Sequence, residues 1–430
     1  MPSTRNNTTR LSAIVHLGLE FSIIIGETFL LGVNELKRKA HNIRTLKENH
    51  LQSGKRTLED AMSKPDKILF TPGPLTTSET VKEAMLTDLG SRDLSFIAAV
   101  KAVREQLLKV GQVEPDDYTT ILMQGSGTFG IESVLSSVIP AEGKLLILIN
   151  GAYGRRMKLI ADTHKIECET LVYPENQSPD ADDLKVKLEA DPTITHVAMV
   201  HCETTTGIIN PINAYGEIVQ AFGKTYIVDA MSSFGAYPIP IKDWHIDYLI
   251  SSANKCIEGV PGFSFIIAKK ANLEATAGWA RTLSLDLFAQ WQGLEKNGQF
   301  RFTPPTHVIL AYKQALDELE EEGGVAGRAA RYHLNNITLM KGMQELGFKA
   351  YLEPEKRGYI INTFLYPEHP NFDFKRFYEI LNEKDQVIYP GKLSKVDCFR
   401  LGNIGRIDTS HIAALLNAIK ETLDEMDVTL

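Results

Sequence analysis

Four cysteines in 430 residues are few, and their placement excludes more than their number does. Cys168, Cys202, Cys256 and Cys398 stand far apart, with no C-x-x-C pair and no H-E-x-x-H motif in the chain. Neither a zinc centre nor a disulfide framework is expected, no metal site is predicted, and a reducing cytoplasm fits best. Charge of one sign is scarce too. The net charge is −8, and no lysine–arginine run is long enough to follow a phosphate backbone. A nucleic-acid partner is therefore not expected.

An uninterrupted apolar span is also missing. Leu11 to Val33 is fairly apolar, but Glu20 and Glu27 break it and no small-residue cleavage site follows. A carboxylate at mid-membrane costs roughly 2.5–3.5 kcal/mol, so neither a membrane helix nor a signal peptide is predicted. Residues 1–64 read as a peripheral or partly disordered N-terminal extension, ending in a basic, polar run from Lys37 to Lys55.

What is present begins at Ile68-Leu-Phe-Thr-Pro-Gly-Pro74, where two prolines around a glycine impose a rigid turn after a short strand. Beyond it lie a strand-like Thr119–Gln124 and short apolar runs at 145–149, 196–200, 226–228, 248–250 and 263–267. Runs of that length suit strands buried on both faces. Helical or loop segments separate most of them, which predicts an α/β fold with a mostly parallel mixed sheet. The expected division is a large domain over residues 65–324 and a smaller C-terminal α/β domain over 325–430. The acidic run Glu318–Glu322 reads as the solvated face of a helix that stops at Gly323-Gly324.

Gly125-Ser-Gly-Thr-Phe-Gly130 follows a predicted strand and opens a helix. Its G-x-G-x-x-G spacing fits a dinucleotide site, but that reading needs an acidic residue at the end of the next strand. Asn150-Gly151 stands there instead. A single phosphate suits the same residues, held by the backbone N–H groups of Ser126, Gly127 and Thr128 at a helix N-terminus. Asp229 ends an apolar strand, so it sits at the carboxyl edge of the sheet, where open α/β sheets bind ligands. Lys255 follows one further strand and emerges at the same edge.

A reactive amine, a carboxylate and a phosphate cradle are the three contacts that pyridoxal 5′-phosphate (PLP) needs. The lysine condenses with the cofactor aldehyde, the carboxylate keeps the ring nitrogen protonated, and the cradle holds the other end. With Ser251-Ser-Ala-Asn-Lys255, the cradle and Asp229 resemble the class V aminotransferases, a family of fold-type-I PLP enzymes. The resemblance runs from about Lys67 to the C-terminus. Asp88-Leu-Gly-Ser-Arg-Asp93, Val200-His-Cys-Glu-Thr-Thr-Thr-Gly207 and Asp229-Ala-Met-Ser-Ser233 add to it.

The resemblance implies further roles. Tyr153 would stack on the cofactor ring, Thr204 would hydrogen-bond its phenolate oxygen, and Asn254 would stand beside these contacts. Thr303 would reach the cofactor phosphate from a neighbouring subunit, making a homodimer with shared sites. Arg400 would grip the substrate's acidic group through its guanidinium fork. The activity implied is transfer of an amino group from 2-aminoethylphosphonate to pyruvate, with Lys255 as proton carrier. Exchange between alanine or serine and glyoxylate or pyruvate remains open on the same scaffold, as does a non-catalytic PLP-binding protein. Cys256 and Cys398 raise a cysteine desulfurase as a rival, but Cys398 sits in a strand-like stretch that suits a buried thiol.

Overall fold

The structure, a computed structural model, describes residues 66–391, 393 and 396–430. The expected N-terminal extension, with its apolar tract and basic run, lies outside the described residues. Lys67–Leu430 forms one compact unit. Its centre is a seven-stranded sheet of β1 (Tyr118–Gln124), β2 (Lys144–Ile149), β3 (Glu167–Val172), β4 (Ile194–Val200), β5 (Thr225–Asp229), β6 (Tyr248–Ser252) and β7 (Phe263–Lys269). The strand order is β1-β7-β6-β5-β4-β2-β3. All strands run the same way except β7, which is antiparallel to both β1 and β6.

Five of these strands coincide with the short apolar runs and β1 with the strand-like Thr119–Gln124, and their side chains are almost all buried. The seventh, β3, reads Glu-Cys-Glu-Thr-Leu-Val and lies at the sheet's edge, only half-buried. An edge strand with one solvated face has no need of a continuous apolar run, so composition alone does not announce it.

Helices cover the sheet. In α1 (Gly127–Val138), Ile131, Val134, Leu135 and Val138 point into the core, as their spacing predicts. Next come α2 (Ala152–Thr163) and the long α3 (Thr306–Glu321). The acidic run on α3 is not simply a solvated face. Glu318 is buried and accepts from Ser78 Oγ at 2.7 Å, while Glu322 pairs with Arg328 and Arg331. Only Glu320 and Glu321 are exposed. Ser78 and Thr80 from far back in the chain hold Glu318, which the local sequence does not reveal, whereas Glu322 is held by arginines of the very next helix.

A second hydrophobic cluster gathers around an antiparallel sheet of β8 (Ile361–Leu365), β9 (Tyr389–Pro390) and β10 (Cys398–Gly402), in the order β8-β10-β9. Leu339 and Met343 of α4 (Gly324–Glu345) pack there, with α5 (Phe374–Glu383) and α6 (Thr409–Glu425). Ile68–Leu69 pairs in parallel with Gln386–Val387, and Phe70 joins this same cluster. The Thr71–Pro74 turn is thus anchored by C-terminal residues. Among the described residues no helix is long and apolar enough to cross a membrane.

Candidate active site

The carboxyl ends of β1, β4, β5 and β6 open onto one cavity of about 180 Å³. Ser126, Gly127, Thr128, Tyr153, Thr204, Asp229, Asn254 and Lys255 all line it. Each arrives by a separate route. Gly125, at φ 107°, turns the chain out of β1 so that α1 starts at Gly127 with Ser126 as its N-cap. No side chain caps that end, so its backbone N–H groups and its partial positive charge face the cavity. Asp229 is the last residue of β5, opposite Val200 and Ile250. Lys255 lies three residues beyond the end of β6.

Burial sets the charge state of both reactive groups. It pushes the Asp229 carboxyl up to about 7, against the N–H of Met231, which donates to Oδ1 at 2.9 Å. It pushes the Lys255 amine down to about 8, against the pull of Asp229. A carboxyl and an amine that both titrate close to neutral in one cavity can exchange protons with a ligand at little cost. The turn after the first short strand completes the wall. Lys255 Nζ donates to the Pro72 carbonyl at 2.6 Å. A Cβ on Gly73 would stand 2.8 Å from Lys255 Cδ, so the turn lies directly on the lysine.

The Aminotransferase class-V family model matches residues 79–388. The chain belongs to this family. Among its relatives, the 2-aminoethylphosphonate–pyruvate transaminase of Vibrio vulnificus (strain CMCP6) is 50% identical over 362 residues, which cover 84% of this chain and 98% of that protein. An alanine–glyoxylate aminotransferase structure from Nostoc sp. superposes with a TM-score of 0.77 at 25% identity, covering 84% of this chain and 96% of that one. A pyridoxamine–pyruvate aminotransferase from Mesorhizobium loti gives 0.77 at 24% identity over 85% and 94%, a likeness of fold alone.

Two expected residues of this aminotransferase stand outside the cavity lining. Thr303 is exposed, and its carbonyl accepts from Gln124 Nε2 at 3.3 Å. Arg400, on β10, is fully buried. Its Nη1 donates to the Thr204 carbonyl at 2.7 Å, while Nε and Nη2 reach the Pro390 carbonyl at 3.1 and 2.8 Å. Its guanidinium also lies 4.7 Å from the centre of the Tyr389 ring. Of five N–H donors, three meet these carbonyls, and the Tyr153 side chain also bonds the guanidinium. Cys256 and Cys398 are both buried, and burial raises both thiols, the opposite of what a reactive cysteine needs. Asn150, at the end of β2, donates to Asn210 Oδ1 at 2.8 Å and the Gln177 carbonyl at 2.9 Å, a structural role that leaves no ribose grip there.

Two site residues escaped the sequence reading. Glu203, wholly buried, accepts from Thr205 Oγ1 at 2.6 Å and from the N–H groups of Tyr153 and Gly154 at 3.4 and 3.3 Å. It caps α2 from another strand and so fixes the backbone that carries Tyr153. Arg156 lines the cavity one helical turn after Tyr153. That spacing of three on a helix was a signal available in Tyr153-Gly-Arg-Arg156.

Proposed function

We propose that this transaminase uses PLP to move the amino group of 2-aminoethylphosphonate to pyruvate, giving phosphonoacetaldehyde and L-alanine. The observation that carries the cofactor reading is the meeting of Lys255, Asp229 and the Ser126–Thr128 cradle in one cavity. Their chemistry fits PLP part by part: an uncapped helix N-terminus for the phosphate, a buried carboxyl for the ring N–H, and an amine of lowered basicity for the aldehyde. Bound there, PLP supplies an aldehyde for the substrate amine and a ring that draws electrons from the amine-bearing carbon. The 50% identity to a transaminase of that substrate pair supports the choice of donor.

The chain's own residues divide the work. Lys255 Nζ, driven toward its neutral form by burial, takes the proton from the amine-bearing carbon and later returns one. Asp229 keeps a positive charge at the ring nitrogen, while Tyr153 and Thr204 orient the ring from the cavity wall. Arg400 presents its guanidinium to the phosphonate of the donor and then to the carboxylate of pyruvate. One site serving both half-reactions makes the kinetics ping-pong. The active form is a homodimer in which an exposed Thr303 reaches the second copy's phosphate, and four unpaired cysteines suit the cytoplasm.

A donor panel tests the reading. The purified enzyme should convert 2-aminoethylphosphonate with pyruvate, with parallel double-reciprocal plots. Robust alanine–glyoxylate exchange without turnover of 2-aminoethylphosphonate would refute the choice of substrate.

A further inference from the structure

Arg156 is the charged residue of the cavity that the reaction leaves without a task. It stands on α2 and lines the same cavity as Ser126, Gly127 and Thr128. Its Nη1 donates to Thr128 Oγ1 at 3.2 Å, the hydroxyl at the second position of α1. Its guanidinium carbon lies 5.0 Å from the centre of the Tyr153 ring. Its neighbour Arg155 pairs with Glu175, but among the described residues no carboxylate forms an ion pair with Arg156. Its charged influence in the cavity is a through-space one on Asp229, and a half-buried guanidinium held by no direct ion pair is arranged for an anion that comes with the ligand.

The charges say which anion. A helix N-terminus offers about half a positive charge. A phosphate monoester carries about −1.5 to −2 near neutral pH. The Ser126–Thr128 cradle alone therefore leaves most of that charge unmatched. Arg400 is tied to the Thr204 and Pro390 carbonyls, away from the cradle. Two anions enter the reaction, a cofactor phosphate and a substrate acid group, and two guanidinium groups, one bonded to the cradle at Thr128 and one to the Thr204 carbonyl, are there to meet them.

We propose that Arg156 supplies the cation of the cradle and pairs with the phosphate of the cofactor. The inference rests on the PLP reading above. Arg156 then has two partners at once: Thr128, which fixes one arm of the guanidinium, and the phosphate, which takes the remaining donors. Its position over Tyr153 holds that ring at the same time.

The test compares PLP with pyridoxal, which has the same ring and aldehyde without the phosphate. Cofactor-free full-length protein is titrated with each, following visible absorbance, for the wild type, Arg156→Met and Arg156→Gln. The glutamine variant keeps a donor for Thr128 while losing the charge, and circular dichroism checks that both variants fold. The Kd for PLP should rise roughly 10- to 100-fold in both variants, the loss of one charge-assisted pair, while the Kd for pyridoxal stays within about twofold. An equal loss for PLP and pyridoxal overturns the proposal, because Arg156 would then act through the Tyr153 ring. Unchanged PLP affinity with a raised KM for 2-aminoethylphosphonate also overturns it, assigning Arg156 to the substrate. A wild-type protein that takes up neither compound instead overturns the cofactor reading beneath it.

Discussion

Lys255 and Asp229 move each other's charge states. The amine sits near 8 because burial disfavours its charged form, and the Asp229 carboxylate draws it partly back up. Only the neutral amine attacks an aldehyde. The rate at which the cofactor-free protein takes up PLP should therefore rise with pH and level off above about 8. Removing the carboxylate removes an upward pull, so Asp229→Asn should shift that midpoint to lower pH. Stopped-flow absorbance across a pH series measures it, and a midpoint that stays or climbs would show that the two groups are not coupled. Both residues were legible in the sequence because each stands at or just past the end of an apolar strand, and strand ends share one edge in a parallel sheet. Arg400 was legible as a residue but not in its setting. Nothing near Phe399-Arg-Leu401 shows that the Thr204 and Pro390 carbonyls occupy three of its donors.

At the scale of elements, the entry to α2 shows how close packing and polar satisfaction depend on one another. Gly151 precedes α2 in an extended conformation that any residue can adopt. Space, not backbone freedom, requires the glycine: an added Cβ would lie 2.1 Å from Glu203 Cγ and 2.2 Å from its Cδ. Gly151→Ala would push the buried carboxylate off the N–H groups of Tyr153 and Gly154. Overpacking of this kind costs about 1–3 kcal/mol, so urea unfolding should show a loss in that range, with weaker PLP binding as Tyr153 shifts. An alanine variant as stable as the wild type would mean that Glu203 relaxes freely and holds nothing. Elements with a local signal, such as α1 and the buried strands, could be read directly. Those whose partners lie far along the chain could not. The pairing of Ile68–Leu69 with Gln386–Val387 spans more than three hundred residues, and a shorter but still long separation hides the contact of Gly73 with Lys255 from any reading of the turn alone.

The whole molecule concentrates its recognisable chemistry in Lys67–Leu430. That stretch forms one compact unit, and the 362 residues aligned with the Vibrio transaminase cover 98% of that protein. Among the described residues, the cavity lining, the carbonyls that hold Arg400 and the three hydrophobic clusters fall within it. The cluster that anchors the Thr71–Pro74 turn, and with it the wall over Lys255, is built, among the described residues, from Phe70 and C-terminal residues. Removal of residues 1–64 should therefore leave kcat/KM for 2-aminoethylphosphonate and pyruvate within about twofold of the full chain, since changes outside a site's contacts alter transition-state binding little. Steady-state assay of the shortened and full-length proteins measures this, with circular dichroism to confirm folding. A folded but inactive truncation would mean that the first 64 residues contribute to the site or to the assembly that completes it, and the catalytic body would then have to be drawn larger than its relatives'.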